Sequence, residues 1–234
     1  MNTYTISFKI VFIGNSGVGK TSIIKYYERF NKTQDKKISF NVHNSTIGVD
    51  YISITNELVL NDGNIVNTRL VIWDTGGQEQ FNSICKVYYR DVSTVIIVYD
   101  ATNYTSMISI EKWVKDVQSV NLNPNLVYVI IENKSDLLNK SMDDLSIKCK
   151  QILNELNLTY IFYKTSVKNN NNITNCFDEL LKILVDIFFN KYNINNSIID
   201  LNKINIDNFS EYNNGINLFK TNNQEGVKNK CCSY

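Results

Sequence analysis

The chain has 234 residues, 43% of them apolar, which is enough to bury one sizeable hydrophobic core. Its 24 Lys and Arg residues nearly balance 23 Asp and Glu residues, so the net charge of +1 implies no general attraction to nucleic acid or acidic membranes. The N-terminus has no apolar signal core, and no run approaches the roughly 18 apolar residues of a membrane span. These observations predict one domain with appendages, in the cytosol and without a nucleic-acid partner.

The five cysteines predict neither a metal site nor a disulfide framework. Cys85, Cys149 and Cys176 occur singly among apolar residues, which is typical of core or surface thiols. Cys231 and Cys232 stand together near the end of the chain. Only this last pair forms a pattern.

The first predicted element is a strand that ends in a glycine-rich loop and is followed by a helix. The apolar run from Phe8 to Ile13 stops at Gly14, and apolar residues return at helical spacing as far as Phe30. The intervening loop fits GxxxxGK(S/T), in which backbone N–H groups and a helix N-terminus surround a phosphate. The predicted nucleotide contacts in it are Asn15, Ser16, Gly17, Val18, Gly19, Lys20, Thr21 and Ser22. Lys20 would meet the β- and γ-phosphates and Thr21 would bind Mg²⁺, while the order GxxGxG disfavours a dinucleotide site.

Next along the chain, a polar segment from Asn31 to Asn41 predicts a surface loop. Two strands follow, Asp50 to Leu60 and Val66 to Trp73, and the turn residues 61–64 between them predict a hairpin. Asp74 ends the second strand, at the carboxyl end where open α/β sheets place their ligand sites.

The second half of the chain alternates strands and helices, which predicts an α/β fold with a mainly parallel sheet and helices on both faces. The predicted strands are Val95 to Tyr99, Leu126 to Ile131 and Leu158 to Tyr163. The first helix carries Ile108, Trp113, Val114 and Val117 on its inner side, and two others run from about Ser141 to Leu156 and from about Ile173 to Phe189. Residues 1–189 are therefore predicted to form the domain, and the Asn-rich residues 190–234 a largely disordered tail.

The phosphate loop alone leaves ATPases, kinases and GTPases open, and the run Asn133-Lys134-Ser135-Asp136 distinguishes them. A carboxylate such as Asp136 accepts two parallel hydrogen bonds from the N1–H and exocyclic amine of guanine, whereas adenine offers no such donor pair. Lys134 would lie along the base, and Asn133 would join this loop to the phosphate loop. Guanine is thus the predicted base.

These motifs, in this order, resemble those of the Ras superfamily of small GTPases and of the Rab family within it. The resemblance covers about Ser7 to Phe189 and includes the Rab-like runs 47–51, 70–74, 88–90 and 98–100. It implies the P-loop NTPase small G-protein fold, with a mostly parallel six-stranded sheet. It further implies a GTPase with GTP or GDP as bound nucleotide and Mg²⁺ as cofactor.

The resemblance also implies roles for individual residues. Thr46 coordinates Mg²⁺ together with Thr21, and Asp74 holds the metal through water. The Gly76 amide meets the γ-phosphate, and Gln78, which orients the attacking water, is catalytic together with Lys20. The loop that closes over guanine comprises Thr165, Ser166 and Val167, with Lys168 stacked behind it.

Three positions and the length of one interval depart from the usual Rab pattern. Gly77 and Val167, both expected near the nucleotide, replace alanines, and Gly77 frees the backbone beside Gln78. The interval from Lys20 to Thr46 is several residues longer than usual. Phe40 is assigned to the aromatic residue that packs on guanine. His43 occupies the position of an aromatic residue over the phosphates and is assigned as an exposed loop histidine.

Cys231 and Cys232 resemble the doubly geranylgeranylated ends of Rab proteins, and two lipids give stable membrane anchoring where one does not. A Cys-a-a-X signal is less favoured because Cys232 and Ser233 are not aliphatic. N-terminal myristoylation requires glycine after Met1, and this chain has Asn2.

The expected function is a monomeric Rab-like switch in vesicle traffic, cycling between the cytosol and the cytoplasmic side of endomembranes. Its expected partners are an exchange factor, a GTPase-activating protein, a GDP dissociation inhibitor, a prenylation escort protein and effectors. Hydrolysis is expected to be slow, because no arginine finger is identifiable in the sequence. Two alternatives are a GTP-binding scaffold with negligible hydrolysis, which Gln78 argues against, and an ATP-dependent P-loop enzyme, which Asp136 argues against.

Overall fold

The computed structural model describes residues 3–33, 48–59, 65–76, 86–139, 145–191 and 216–221. Within them, the elements follow one another as β1 (Thr3–Ile13), α1 (Lys20–Thr33), β2 (Val49–Val59), β3 (Ile65–Thr75), β4 (Thr94–Asp100), α2 (Tyr104–Gln118), β5 (Val127–Asn133), α3 (Leu145–Glu155), β6 (Tyr160–Lys164), α4 (Ile173–Lys191) and β7 (Ile216–Thr221). A short 3₁₀ turn at Ser135–Leu137 follows β5.

Six of these strands form a sheet in the order β2-β3-β1-β4-β5-β6. β2 is antiparallel to β3, and every other neighbouring pair in this series is parallel. Parallel strands require crossover connections, which the helices provide. The expected α/β fold and its mostly parallel sheet are confirmed.

Two hydrophobic clusters cover the two faces of the sheet. Successive residues of β1 alternate between them: Ile10 and Phe12 pack with α1 and α4, while Val11 and Ile13 pack with α2 and α3. Nearly every residue of β4 is apolar and buried, as expected for a strand covered on both faces. Cys149 and Cys176 are buried in these clusters, and burial raises the pKa of each thiol to about 12.

The prediction that Ile108 lies on the inner side of its helix was wrong. Ile108 is 41% exposed, and Ile110 instead joins Trp113, Val114 and Val117 on the buried face of α2. The reason is helical phase, because residues 110, 113, 114 and 117 fall at i, i+3, i+4 and i+7. Two residues before Ile110, the side chain points to the opposite side of the helix.

β7 adds a strand that the sequence analysis did not predict. It pairs antiparallel with the N-terminal half of β1, from Thr3 opposite Thr221 to Phe8 opposite Ile216. β1 is accordingly longer than the predicted run: it begins at Thr3, and its residues from Thr5 to Phe8 are paired on both sides. Asn190 and Lys191, the first two residues of the predicted tail, belong to α4. Residues 192–215 and 222–234 lie outside the described residues, so their disorder stays a prediction.

Other predicted boundaries shift by a few residues. α4 continues two residues beyond Phe189, to Lys191. β6 begins at Tyr160. α3 begins at Leu145, and both the predicted start at Ser141 and the turn at 61–64 lie outside the described part of the chain. In the helices that the structure describes, none is long and apolar enough to cross a membrane.

Candidate nucleotide site

The glycine-rich loop lies between β1 and α1, at the carboxyl ends of β1, β3 and β4. Two of its glycines are required by close approach and by positive φ. A Cβ atom on Gly14, at φ 137°, would lie 2.2 Å from the carbonyl oxygen of Val98. On Gly19, at φ 102°, it would lie 2.3 Å from Nδ2 of Asn133. The loop is thus packed directly against β4 and against the end of β5.

Lys20 is the first residue of α1, and its side chain turns back over the loop. Its Nζ donates hydrogen bonds to the carbonyl oxygens of Gly14 at 2.8 Å and Asn15 at 2.9 Å. The residue is only 5% exposed, so its ammonium group is held at a fixed place above the loop backbone. A fixed cation beside the N-terminus of a helix is an arrangement that binds phosphate groups.

The side chain of Asn15 ties the loop to helix α2. The indole N–H of Trp113 donates to Asn15 Oδ1 at 3.0 Å, and Asn15 Nδ2 donates to the Ser109 hydroxyl at 3.1 Å. Ser16 and Gly17, which follow, are exposed. Asn15 was predicted as a nucleotide contact, and in the structure its side chain faces the protein.

Thr21 and Asp74 meet next to the loop. The Thr21 hydroxyl donates to Asp74 Oδ2 at 2.5 Å, which joins the first turn of α1 to the end of β3. Asp74 is 7% exposed. One residue beyond β3, the amide of Gly76 donates to the carbonyl oxygen of Gly48 at 2.7 Å. A hydroxyl and a carboxylate oxygen side by side are hard ligands of the kind that Mg²⁺ prefers.

The second loop, after β5, is fastened to the phosphate loop by Asn133. Asn133 Nδ2 donates to the carbonyl oxygen of Val18 at 2.9 Å, and Thr165 donates through its hydroxyl to Asn133 Oδ1 at 3.1 Å. The first of these two links, between Asn133 and the phosphate loop, was predicted from the sequence. Asn133 is buried, so both hydrogen bonds are shielded from water and their loss would leave unpaired polar atoms.

Lys134 is held by Asp100, at the end of β4. Its Nζ lies 2.6 Å from Asp100 Oδ2, and Asp100 Oδ1 accepts from the backbone and the hydroxyl of Thr102. Burial raises the pKa of the Asp100 carboxyl, but the hydrogen bonds from Lys134 and Thr102 outweigh burial and leave the pKa below its usual value. No role was predicted for Asp100 from the sequence, although the signal used for Asp74, an acidic residue at the carboxyl end of a strand, is present there too.

Asp136 lies opposite the loop after β6. The Ser166 hydroxyl donates to Asp136 Oδ1 at 2.6 Å and also accepts from the backbone N–H of Asn169. Asp136 is therefore oriented by the neighbouring loop.

A cavity of about 310 Å³ opens between the three loops, within the size range of small-molecule sites. Its lining residues are Gly17, Gly19, Ser22, Asn133, Lys134, Asp136, Leu137, Val167 and Lys168. All except Leu137 were predicted as nucleotide contacts from the sequence. Leu137 is an exposed hydrophobic residue directly after the motif from Asn133 to Asp136, and nothing in the sequence marked it as a nucleotide contact.

Several predicted site residues cannot be placed. Phe40, Thr46, Gly77 and Gln78 lie outside the described residues, as do His43 and the two terminal cysteines. Their assignments stay predictions.

Comparison with known proteins identifies the family. Residues 9–186 match the family model described as the Ras family. The chain is 32% identical over 178 residues to Ras-related protein RIC2 of Oryza sativa subsp. japonica. The aligned region covers 76% of this chain and 75% of that protein. It is also 36% identical over 179 residues to Ras-related protein RABF2a of Arabidopsis thaliana, and this aligned region covers 76% of this chain and 82% of that protein. The chain belongs to the Ras family of small GTPases.

Proposed function

We propose that this GTPase is a Rab-like molecular switch in vesicle traffic, which recruits effectors in its GTP state and hydrolyses GTP slowly. The observation that carries the proposal is the convergence of three loops on one cavity. One of these loops has the composition of a phosphate cradle, and the other two hold Asp136 at the opposite end. A nucleotide spans such a site with its base and its phosphates at opposite ends.

The phosphates would lie on the loop from Asn15 to Ser22. Its backbone N–H groups and the N-terminus of α1 attract anions, and Lys20 adds a full positive charge. In the presence of phosphate oxygens, the Lys20 ammonium would exchange its bonds to the Gly14 and Asn15 carbonyls for stronger charge-assisted bonds. Lys20 thereby neutralises charge that develops on the β- and γ-phosphates.

Mg²⁺ fits the oxygen ligands at this end of the cavity. Thr21 would bind it through the hydroxyl that now contacts Asp74, with Thr46 as a second hydroxyl ligand and Asp74 acting through water. When bound, the ion would neutralise negative charge on the phosphates. In the part of the chain that the structure describes, the donors at this place are the oxygens of Thr21 and Asp74, and oxygen donors favour this hard cation over Zn²⁺.

Guanine would lie between the loops after β5 and β6. Asp136 accepts from the base, the Lys134 stem lies along it, and Lys168 lies behind it. Ser166 and Val167 close the edge of the pocket, and Phe40 packs on the base. Val167 and Gly77 keep their backbone N–H groups whatever their side chains, so neither departure from the Rab pattern removes a donor.

The switch would consist of two segments, about Phe40 to Tyr51 and Asp74 to Arg90, which the γ-phosphate holds in an effector-binding arrangement. The γ-phosphate would contact Thr46, Gly76 and Gly77. Gln78 would orient the water that attacks it. Slow intrinsic hydrolysis follows if a GTPase-activating protein must supply an arginine, which is worth roughly 10³ to 10⁵ in rate.

An aromatic cluster includes one residue of each switch segment, Tyr51 and Tyr88, and supports effector recruitment. The ring centroids of Tyr51 and Trp73 are 5.4 Å apart, and those of Trp73 and Tyr88 are 4.9 Å apart. Tyr51 and Val87 are well exposed, although burial of large apolar side chains stabilises a folded protein. Aromatic residues in an exposed patch are typical of the centre of a protein interface.

We further propose that Cys231 and Cys232 carry two prenyl groups, which attach the protein to the cytoplasmic side of endomembranes. An escort protein would present the tail for prenylation, and a GDP dissociation inhibitor would return the protein to the cytosol. An exchange factor and effectors complete the expected partners, and the protein itself acts as a monomer.

Competition for a fluorescent GDP analogue tests the nucleotide assignment. We expect GTP and GDP to displace it at concentrations far below those needed for ATP, because only guanine has the donor pair that Asp136 accepts. Asp136→Asn should shift the preference towards xanthine nucleotides and weaken GDP binding by about 1.5 to 3 kcal/mol or more. Equal displacement by ATP and GTP would contradict the proposal.

A further inference from the structure

Three polar side chains form a row across the carboxyl ends of β4, β5 and β6. Tyr99 is opposite Glu132 in the sheet register, and Glu132 is opposite Lys164. The Tyr99 hydroxyl donates to Glu132 Oε2, and Lys164 Nζ lies 3.2 Å from Glu132 Oε1. Glu132 is only 1% exposed, whereas Lys164 reaches the surface, with its side chain 39% exposed. The row thus binds one buried carboxylate from both sides.

Burying the Glu132 carboxylate costs free energy. An apolar side chain at this position would suit the surrounding packing equally well. The same face of the sheet is otherwise filled by apolar side chains, among them Ile130, Cys149 and Leu153. A charge in these surroundings is tolerated only when it is paired and hydrogen-bonded. Burial raises the pKa of Tyr99, so its phenol stays protonated and able to donate at neutral pH.

Each residue of the row directly precedes a residue that organises the base end of the site. Tyr99 precedes Asp100, which holds Lys134 at 2.6 Å. Glu132 precedes Asn133, which donates to the Val18 carbonyl oxygen at 2.9 Å.

Lys164 precedes Thr165 in the same way, and the Thr165 backbone N–H donates to the Glu132 carbonyl oxygen at 2.8 Å. Neighbouring residues of a strand point to opposite faces of the sheet. The contacts among Tyr99, Glu132 and Lys164 on one face of the sheet therefore fix the backbone of the three strand ends. The residues that follow them, Asp100, Asn133 and Thr165, point to the other face from that same backbone.

We propose that Glu132, held between Tyr99 and Lys164, is a positioning residue for the guanine-binding loops. It contacts no nucleotide. It fixes the spacing of the three strand ends that carry Asp100, Asn133 and Thr165, and through them the place of Lys134 and Asp136. The inference rests on the proposed binding of guanine nucleotides at this cavity.

The test compares the unaltered full-length protein with Glu132→Ala and Glu132→Gln. We expect Glu132→Ala to speed dissociation of a fluorescent GDP analogue by roughly tenfold, since both side-chain bonds of the row are lost. Glu132→Gln keeps an oxygen for Tyr99 but loses the ion pair with Lys164, so its rate should fall between the two. This milder variant keeps the test valid if Glu132→Ala does not fold.

Base discrimination separates positioning from a merely structural role. Inosine diphosphate lacks the exocyclic amine that would donate a hydrogen bond to Asp136. If the loops are misplaced, the affinity for GDP should fall relative to the affinity for inosine diphosphate. Leu153→Ala serves as the control, because it removes a fully buried side chain from the same cluster and leaves all three residues of the row in place. It should lower the melting temperature and leave both dissociation rate and affinity ratio unchanged.

Unchanged rates and ratios in both Glu132 variants would overturn this inference alone, as would equal changes in Leu153→Ala. Failure of the unaltered protein to bind GDP would overturn the proposed function as well.

Discussion

Asp100 shows how one ion pair can link protonation to stability. Its pKa lies below the usual value in the folded protein, so it stabilises the fold above the unfolded pKa of about 3.9, and this contribution is lost as the pH falls through the folded pKa. Asp100→Asn should therefore lower the unfolding free energy at pH 7 by about 1 kcal/mol, a modest amount because the Lys134 side chain is 34% exposed.

Urea unfolding of nucleotide-free protein at pH 7 and at about pH 3 measures this difference without a contribution from ligand binding. The gap between the two proteins should narrow at the lower pH. A gap that stays constant would mean that the Asp100 charge does not contribute.

Gln78 carries the proposed chemistry and differs from Lys20 in the expected phenotype. Gln78→Leu removes the group that orients water and leaves the phosphate loop intact, so GTP binding should persist while hydrolysis stimulated by an activating protein collapses. Lys20→Asn or Thr21→Asn should instead weaken the GTP–Mg²⁺ complex. Single-turnover hydrolysis with an activating protein measures the difference. Equal rates for Gln78→Leu and the unaltered protein would favour the GTP-binding scaffold.

At the scale of elements, β7 is the most informative. It covers one edge of the N-terminal half of β1, while β3 covers the other. Leu218→Pro should remove ladder hydrogen bonds at the position opposite Ile6, because proline has no N–H and does not fit within a paired strand. Hydrogen exchange should then quicken in residues 3–8, with the exchange of the phosphate loop unchanged.

Gln224→Pro, three residues after β7, is the matched control and should leave the exchange of β1 as it is. Identical exchange of residues 3–8 in Leu218→Pro and the unaltered protein would mean that this pairing does not persist in solution.

For the whole molecule, β7 determines where the tail leaves the domain. Because β7 is antiparallel to β1, the chain departs beside Thr3, at the end of β1 away from the phosphate loop. Ten residues then lead from Thr221 to Cys231, a reach of at most about 35 Å. The segment that leads to the proposed membrane anchor would thus start at the end of the sheet opposite the nucleotide site.

Membrane attachment should depend on both terminal cysteines. One lipid chain gives marginal, reversible binding and two give a stable anchor, at about 0.8 kcal/mol per buried CH₂. Cys231→Ser or Cys232→Ser should therefore mislocalise the protein partially, and the double variant should be soluble. Mass spectrometry of the C-terminal peptide from the membrane fraction decides the matter. Two unmodified cysteines in that peptide would place the anchor elsewhere.

The features that the sequence predicted well depend on residues close together in the chain. The phosphate loop and the run from Asn133 to Asp136 could be assigned because each motif is contiguous and lies at the end of an apolar strand. The alternation of strands and helices gave the parallel sheet for the same reason. Ile108 was misplaced although the spacing of Trp113, Val114 and Val117 already selects Ile110 for the apolar stripe and puts Ile108 off it.

Local periodicity in the sequence was enough to assign the fold class, and one short contiguous motif was enough to place the phosphate loop. A second short motif predicted guanine as the base. Only the tertiary structure decided that Asp100 holds Lys134, that Glu132 joins Tyr99 to Lys164, and that β7 pairs with β1. These contacts join residues that are tens to hundreds of positions apart in the chain. Their partners become neighbours only when the strands align in register, and no short stretch of sequence specifies that alignment.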